Sequence, residues 1–379
     1  MRKMLNYQTL CLGLWIVVFQ FAFAGSGKAQ LTTLPRGGNK RASVTEQIGL
    51  TDVIIRYSRP GVKKREGHIW GELVPVGYTE LGYGFKKPAP WRAGANENTT
   101  IDFSTDVKVE GHDLAAGRYG FFVAYGPDEC TLIFSRNSTS WGNFFYDSTE
   151  DALRVTVKTV HLDKSVEWLK YEFNDQTASS AVIQLQWEKV MIPFRVDVDV
   201  VKTQIASFRK ELRGDKALPG LWQPWNQAAA FCLAHNTNLE EGLLWADSSI
   251  SLTFGGEGNF DAWQTKAAIL DSLGRKAEAA EAMKKALPLA TDIEGYGYGL
   301  TLVGAKRPKE AMEVFKWIYN KYPNTLFTNI GMASGYSALG DYKTALTWAQ
   351  KALPQAKGGN RIEVEKNIRD LENGKDMNN

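Results

Sequence analysis

Apolar side chains alternate with polar ones through the first half of the chain and recur every three to four residues through the second, with the change near Val200. In the stretch 50–57, Val53, Ile55 and Tyr57 fall on one face and Asp52, Ile54 and Arg56 on the other, the period of a strand with one buried side. The alternation returns at Ile101 and Phe103, at Tyr119, Phe121 and Val123, at Leu132 and Phe134, and at Leu153, Val155 and Val157. It continues at Leu169, Tyr171 and Phe173, then from Ala181 to Trp187 and from Ile192 to Val198. Turn signals such as Glu110-Gly111-His112-Asp113 and Tyr125-Gly126-Pro127-Asp128 separate these runs. Many short strands with no helical pattern between them predict an antiparallel sandwich or barrel, with the β-sandwich as the expected fold class, over residues 42–199. Parallel βαβ topology needs crossover helices that this half lacks.

Past Val200 the spacing of Ile205, Phe208 and Leu212 predicts one helix, and the Gly and Pro residues of the stretch 213–224 end it. Residues 200–222 therefore read as a connecting helix and linker. The remainder, 223–375, repeats itself. Leu273-Gly274-Arg275-Lys276-Ala277-Glu278-Ala279, followed by Met283, Ala286 and Pro288, lines up with Leu339-Gly340-Asp341-Tyr342-Lys343-Thr344-Ala345, followed by Ala349, Ala352 and Pro354. This is the tetratricopeptide pattern of helical hairpins at a period of about 34 residues. Two weaker units, around Ala311, Phe315 and Pro323 and around Ala230, Leu233, Gly242 and Ala246, bring the expected total to roughly four hairpins. A capping helix through Val364, Ile368 and Leu371 closes the predicted α-solenoid. Repeat register puts Phe231, Gln264, Asp271, Tyr296, Phe327 and Ile330 near the concave face, where a partner peptide or helix would lie. The competing reading packs some of these aromatic rings between hairpins.

The amino terminus adds a compartment. Residues 1–24 open with Arg2 and Lys3, run through apolar residues from Leu10 to Phe23 and end on small residues at Ala22 and Ala24, the layout of a secretory signal peptide. A second cleavage point follows Ala29, and residues 25–41, rich in Gly, Pro and Thr, read as a linker. No later stretch approaches the roughly 20 apolar residues of a membrane span, so export to the periplasm or the medium of a Gram-negative-type bacterium is expected, with no transmembrane segment after cleavage. A formal charge of +3 spread over 379 residues argues against nucleic acid as a partner. Cys130 and Cys232 sit in apolar surroundings in different halves, which favours buried thiols over a disulfide.

The densest group of chemically capable residues is Trp91-Arg92-Ala93-Gly94-Ala95-Asn96-Glu97-Asn98-Thr99-Thr100. Arg59 and Arg65 follow the second strand; if their loop meets this one, Arg59, Arg65 and Arg92 form a donor-rich concavity beside Trp70 and Trp91. Such a site suits a carboxylate, phosphate or sugar, with Asn96 shaping the turn and Glu97 or His68 as acid or base. In the commoner structural reading the same arginines staple loop carbonyls. No Gly-rich nucleotide motif is present, and His68, His112, His161 and His235 have no metal-ligand spacing, so neither cofactor nor metal is expected.

Together with Tyr57-Ser58-Arg59-Pro60-Gly61-Val62-Lys63, Ile69-Trp70-Gly71-Glu72-Leu73-Val74-Pro75, Gly117-Arg118-Tyr119 and Trp141-Gly142, the Trp91 motif resembles the bacterial family called domain of unknown function 2911. The resemblance spans residues 42–198 and implies an exported protein, some relatives carrying tetratricopeptide repeats, with no activity attached. The stretch 77–90 is longer than that pattern requires and holds Tyr78, Tyr83 and Phe85. The expectation is thus an envelope binding or scaffold protein whose repeats hold a protein partner; the alternative is an envelope hydrolase acting on an anionic or carbohydrate substrate at the Trp91 loop.

Overall fold

The computed structural model describes residues 38–379, so the signal peptide and most of the linker expected from the sequence lie outside the described residues. Two compact units result: residues 52–176 and 180–197 with the stretch up to Glu46 make the first, and residues 198–379 with 47–51 and 177–179 make the second.

The first unit is built from two antiparallel sheets. One has the order β1 (Lys40–Ile48), β2 (Thr51–Arg59), β5 (Thr99–Phe103), β8 (Gly117–Ala124), β9 (Glu129–Ser135), β10 (Asp151–Lys158). The other runs β11 (Val160–Asn174), β12 (Ser180–Asp197), β6 (Val107–Val109), β7 (His112–Leu114); a two-residue pair, β3 (Thr79–Glu80) and β4 (Pro88–Ala89), stands apart. Register aligns the apolar faces, with Ile55 opposite Ile101, Ile101 opposite Tyr119, and Phe121 opposite Phe134. Rings from the two sheets then meet. Phe194 of β12 lies 5.5 Å from Phe121 and 6.2 Å from Phe134, and Tyr171 of β11 lies 4.7 Å from Tyr57. This aromatic layer is the core of a β-sandwich, and neither sheet closes into a barrel.

Two details differ from the sequence pattern. The runs 181–187 and 192–198 belong to one strand, which kinks at Glu188, at φ 50°, in a bulge where the register against β11 shifts; the extra residues lie in β11, where the stretch 166–170 stands opposite 186–188. That bulge re-phases the alternation, so the odd-numbered Ala181 to Trp187 and the even-numbered Val190 to Val196 all stay buried. At the other site the reversal is confined to Glu110 and Gly111, both at positive φ, and His112 and Asp113 already belong to β7.

From residue 198 on, the second unit is helical. After α1 (Val200–Glu211) come four hairpins: α2 (Gln223–Ala234) with α3 (Leu239–Ser249), α4 (Phe260–Ser272) with α5 (Lys276–Ala286), α6 (Asp292–Gly304) with α7 (Pro308–Lys321), and α8 (Leu326–Ala338) with α9 (Tyr342–Ala352). A last helix, α10 (Gly358–Glu372), packs on α9 and covers its apolar side with Val364 and Leu371. Gly274 and Gly340 turn two of the hairpins at φ 77° and 85°, and Lys306 takes the same left-handed conformation in a third. Helix α1 is more than a connector. Phe208 packs edge-on to Phe231 and Trp245, Ile205 and Leu212 are buried in the same core, and Arg209 pairs with Glu241 at 2.6 Å.

Stacking along the hairpins is uneven. Helix α4 packs against both α2 and α3, and α8 packs against both α6 and α7. Small residues let the helices approach: Cys232 lies against Gly242 within the first hairpin, and Phe315 of α7 lies against Gly299 of α6 and Gly331 and Gly335 of α8. Between the second and third hairpins, α6 approaches α4 and α5 at isolated points at most. There the bulky Tyr298, Leu302 and Trp317 line an open space instead.

Candidate functional site

The Trp91 loop is fastened to both sheets. Trp91 exchanges two backbone hydrogen bonds with Val123, its indole donates to Gly94 O at 3.1 Å, and its ring stacks on Trp187 and meets Trp70 edge-on. Ala93 and Asn96 adopt left-handed backbone conformations, and the carbonyl of Ala93 accepts from Tyr171 at 2.7 Å and Thr99 at 3.0 Å. Non-glycine residues hold such conformations where surrounding contacts impose them.

The three arginines diverge, each toward backbone carbonyls. Arg59 donates to Leu169 O, Arg65 to Gly61 O and Val62 O, and Arg92 to Asn96 O at 3.0 Å. The Arg92 guanidinium lies over the Phe144 ring at 5.2 Å, and burial pulls its pKa below the ordinary arginine value. Glu97 bonds Arg41 of β1 and Ser58 of β2. Burial alone would raise its pKa; its own backbone amide, Arg41 and Ser58 outweigh that and hold the carboxyl below the usual range. Asn96 turns its amide toward Asn39, and His68 pairs with Glu72 at 3.1 Å on the exposed surface. A shallow cavity of about 390 Å³ does open beside Glu97, bordered by Arg41, Ser58 and Asn98, but Arg59, Arg65 and Arg92 are absent from its lining. The loop thus brings Glu97 to Ser58 and leaves Arg59, Arg65 and Arg92 dispersed, while Arg41 and Arg56 border the cavity.

Sequence reasoning missed Arg41 as the partner of Glu97, since a residue assigned to a linker gives no pairing signal. It also missed the seat of the long 77–90 stretch. Phe85 N donates to Phe144 O at 2.9 Å, Tyr83 packs on Phe144 and Phe85 on Phe145, so that stretch is tied to the 141–146 turn. Arg92, beneath Phe144, underpins both.

The helical unit holds the larger concavity, about 1040 Å³, between its second and third hairpins. Leu233, Met283, Leu287, Tyr298, Leu302 and Trp317 supply apolar surface, and Gln264 and Asp271 of α4 line it as well. Its lip carries an ion-pair chain in which Asp271 meets Lys276 at 2.7 Å and Arg307 at 3.7 Å, and Arg307 meets Glu310 at 2.6 Å. The other four predicted groove residues sit elsewhere. Phe231 packs on Phe208 and His235, Tyr296 lies between Phe315 and Phe327, and Ile330 is buried in the last hairpin's core. Aromatic spacing alone does not separate an inter-hairpin ring from a groove ring.

Residues 39–196 match the family model described as protein of unknown function (DUF2911), and residues 260–292, the α4/α5 hairpin, match the tetratricopeptide repeat model. No curated protein matches the chain. Among solved structures it is similar to YrrB, described as a tetratricopeptide repeat protein with an unusual peptide-binding site, at 17% identity over 46% of this chain and 88% of that one, TM-score 0.28. A tetratricopeptide repeat protein from Parabacteroides merdae is 16% identical over 46% of this chain and 71% of that one, TM-score 0.31. PilW, described as a widely conserved type IV pilus biogenesis factor, is 19% identical over 35% and 61%, TM-score 0.26. The chain joins a segment matching the DUF2911 family, across its two sheets, to tetratricopeptide repeats in its helical unit.

Proposed function

We propose that this chain is an exported, non-enzymatic scaffold whose helical repeats hold a protein partner, while the sandwich serves as a rigid anchoring body. The observation that supports it best is the 1040 Å³ concavity of the helical unit, apolar inside and charged at its lip. An apolar interior with a polar rim is the composition of a protein-binding surface. The hydrolase reading has less support, because Arg92 is spent on Asn96 O and a buried ring while Glu97 is held by Arg41 and Ser58. Export rests on the pattern of residues 1–24. Affinity capture from an envelope extract, comparing the chain from residue 38 with residues 38–197 and residues 198–379, tests the proposal. Recovery of the same partner by the whole chain and by residues 198–379 is expected; recovery by the sheet half alone, or by neither half nor the whole, overturns it.

A further inference from the structure

We propose that the occupant of the concavity between the second and third hairpins is an amphipathic α-helix contributed by the partner, which rests on the scaffold reading above. The helical unit itself shows what fits such a place. In the first hairpin the seat between α2 and α3 is filled by α4, and in the third the seat between α6 and α7 is filled by α8. The seat offered by α4 and α5 is only partly filled, because α6 stands off behind Tyr298 and Leu302 while Ile318 and Trp317 of α7 reach its edge. Of the first three hairpins, two therefore receive the next helix closely and one does not, while the fourth receives α10 along α9.

Size and chemistry agree. At about 1040 Å³ the concavity sits at the upper end of the roughly 300–1,000 Å³ typical of small-molecule pockets, with room for the side chains of one helix face. Leu233, Met283, Leu287 and Trp317 offer apolar surface to the stripe that a helix laid in a groove carries at i, i+3, i+4 and i+7. Charge selects the flank. Lys276, Lys284 and Arg307 face Asp271 and Glu310 around the opening, an excess of one positive charge, and Lys284 is exposed. A carboxylate beside the apolar stripe of the incoming helix complements it.

The test uses the chain from residue 38 and a display library of helical peptides of about 18 residues, or five turns, with leucine fixed at the four anchor spacings and the other positions randomised. A library of equal composition with scrambled leucines is the control. Ala280→Trp from α5 and Ala305→Trp from the turn just after α6 fill the space, and both positions are exposed, so neither should disturb the fold. Selected peptides should bind at least tenfold more tightly to the unsubstituted chain than to either filled variant, whose circular dichroism and melting should be unchanged. Bound peptide should also slow hydrogen exchange in α4 to α6. Equal binding to filled and unfilled chains, equal enrichment from the scrambled library, or protection outside α4 to α6 would overturn the proposal. If peptides fail while affinity capture still yields a partner through residues 198–379, the helix falls and the scaffold stands. If that capture also fails, the scaffold reading falls with it.

Discussion

A Cβ atom built on Gly299 would stand 2.1 Å from Cε1 of Phe315, because that ring fills a notch between α6 and α8 made by Gly299, Gly331 and Gly335. Glycine in a helix costs stability, and three glycines around one ring show that close approach of the helices is worth that cost. Gly299→Ala should destabilise the helical unit, since overpacking of about 1–3 kcal/mol exceeds the roughly 1 kcal/mol recovered in helix propensity. Gly297→Ala, two residues before Gly299 and facing open space, should instead gain about 0.5–1 kcal/mol. Urea unfolding followed by circular dichroism distinguishes them; a gain at both positions would mean the notch is slack.

Arg92 should behave as a structural residue of the sandwich. Arg92→Ala removes a charged hydrogen bond worth about 1.5–3 kcal/mol and a cation–π contact of about 0.5–2 kcal/mol. A loss of about 2–4 kcal/mol is expected in residues 38–197, and Arg92→Lys should recover little because a lysine lacks the planar fork. Unchanged denaturant midpoints for Arg92→Ala would point to a ligand-facing arginine.

Acid should loosen α1. The hydrogen bond from Arg209 is the main cause that lowers the Glu241 pKa below its ordinary 4.5 in the folded chain. The folded state then holds fewer protons than the unfolded state around that value, so the contribution is complete above pH 4.5 and is lost as pH falls through the lower folded pKa. Salt should shrink it, as the pair is partly exposed. Glu241→Gln should flatten the acid limb of a melting-temperature profile; an unaltered limb would show that the pair contributes nothing.

Thiol chemistry should report burial. Desolvation pushes the Cys232 thiol up to about 11 and also raises Cys130. Both residues are buried and unpaired by a disulfide. Iodoacetamide at pH 8 should leave both unmodified in the folded chain and alkylate both in guanidinium, read by peptide mass. Rapid labelling of Cys232 in native conditions would mean that the α2/α3 contact at Gly242 opens readily.

Much of this architecture could be read from side-chain rhythm because burial acts on one residue at a time. Val53, Ile55, Phe121 and Phe134 are buried where alternation puts them, and Gly274 and Gly340 turn the hairpins where a left-handed residue is needed. What escaped depends on pairing between distant segments. A phase change from Trp187 to Val190 reads as a turn until its partner strand shows a bulge. Glu97 bonds to Arg41 and Ser58, choices made by the fold of β1 and β2, while Arg92 is spent within its own loop on Asn96 O. Gln264 and Asp271 reach the large concavity, whereas Tyr296 and Ile330 do not, because the width of each hairpin junction is set by residues on the next helices.

The most direct measurement compares partner recovery from envelope extract by the unsubstituted chain, Ala280→Trp and Glu97→Gln, each shown to be folded. Recovery lost in Ala280→Trp and kept in Glu97→Gln is the predicted result. Recovery kept when the helical concavity is filled, but lost with the Glu97 carboxylate, would contradict the assignment of binding to the repeats.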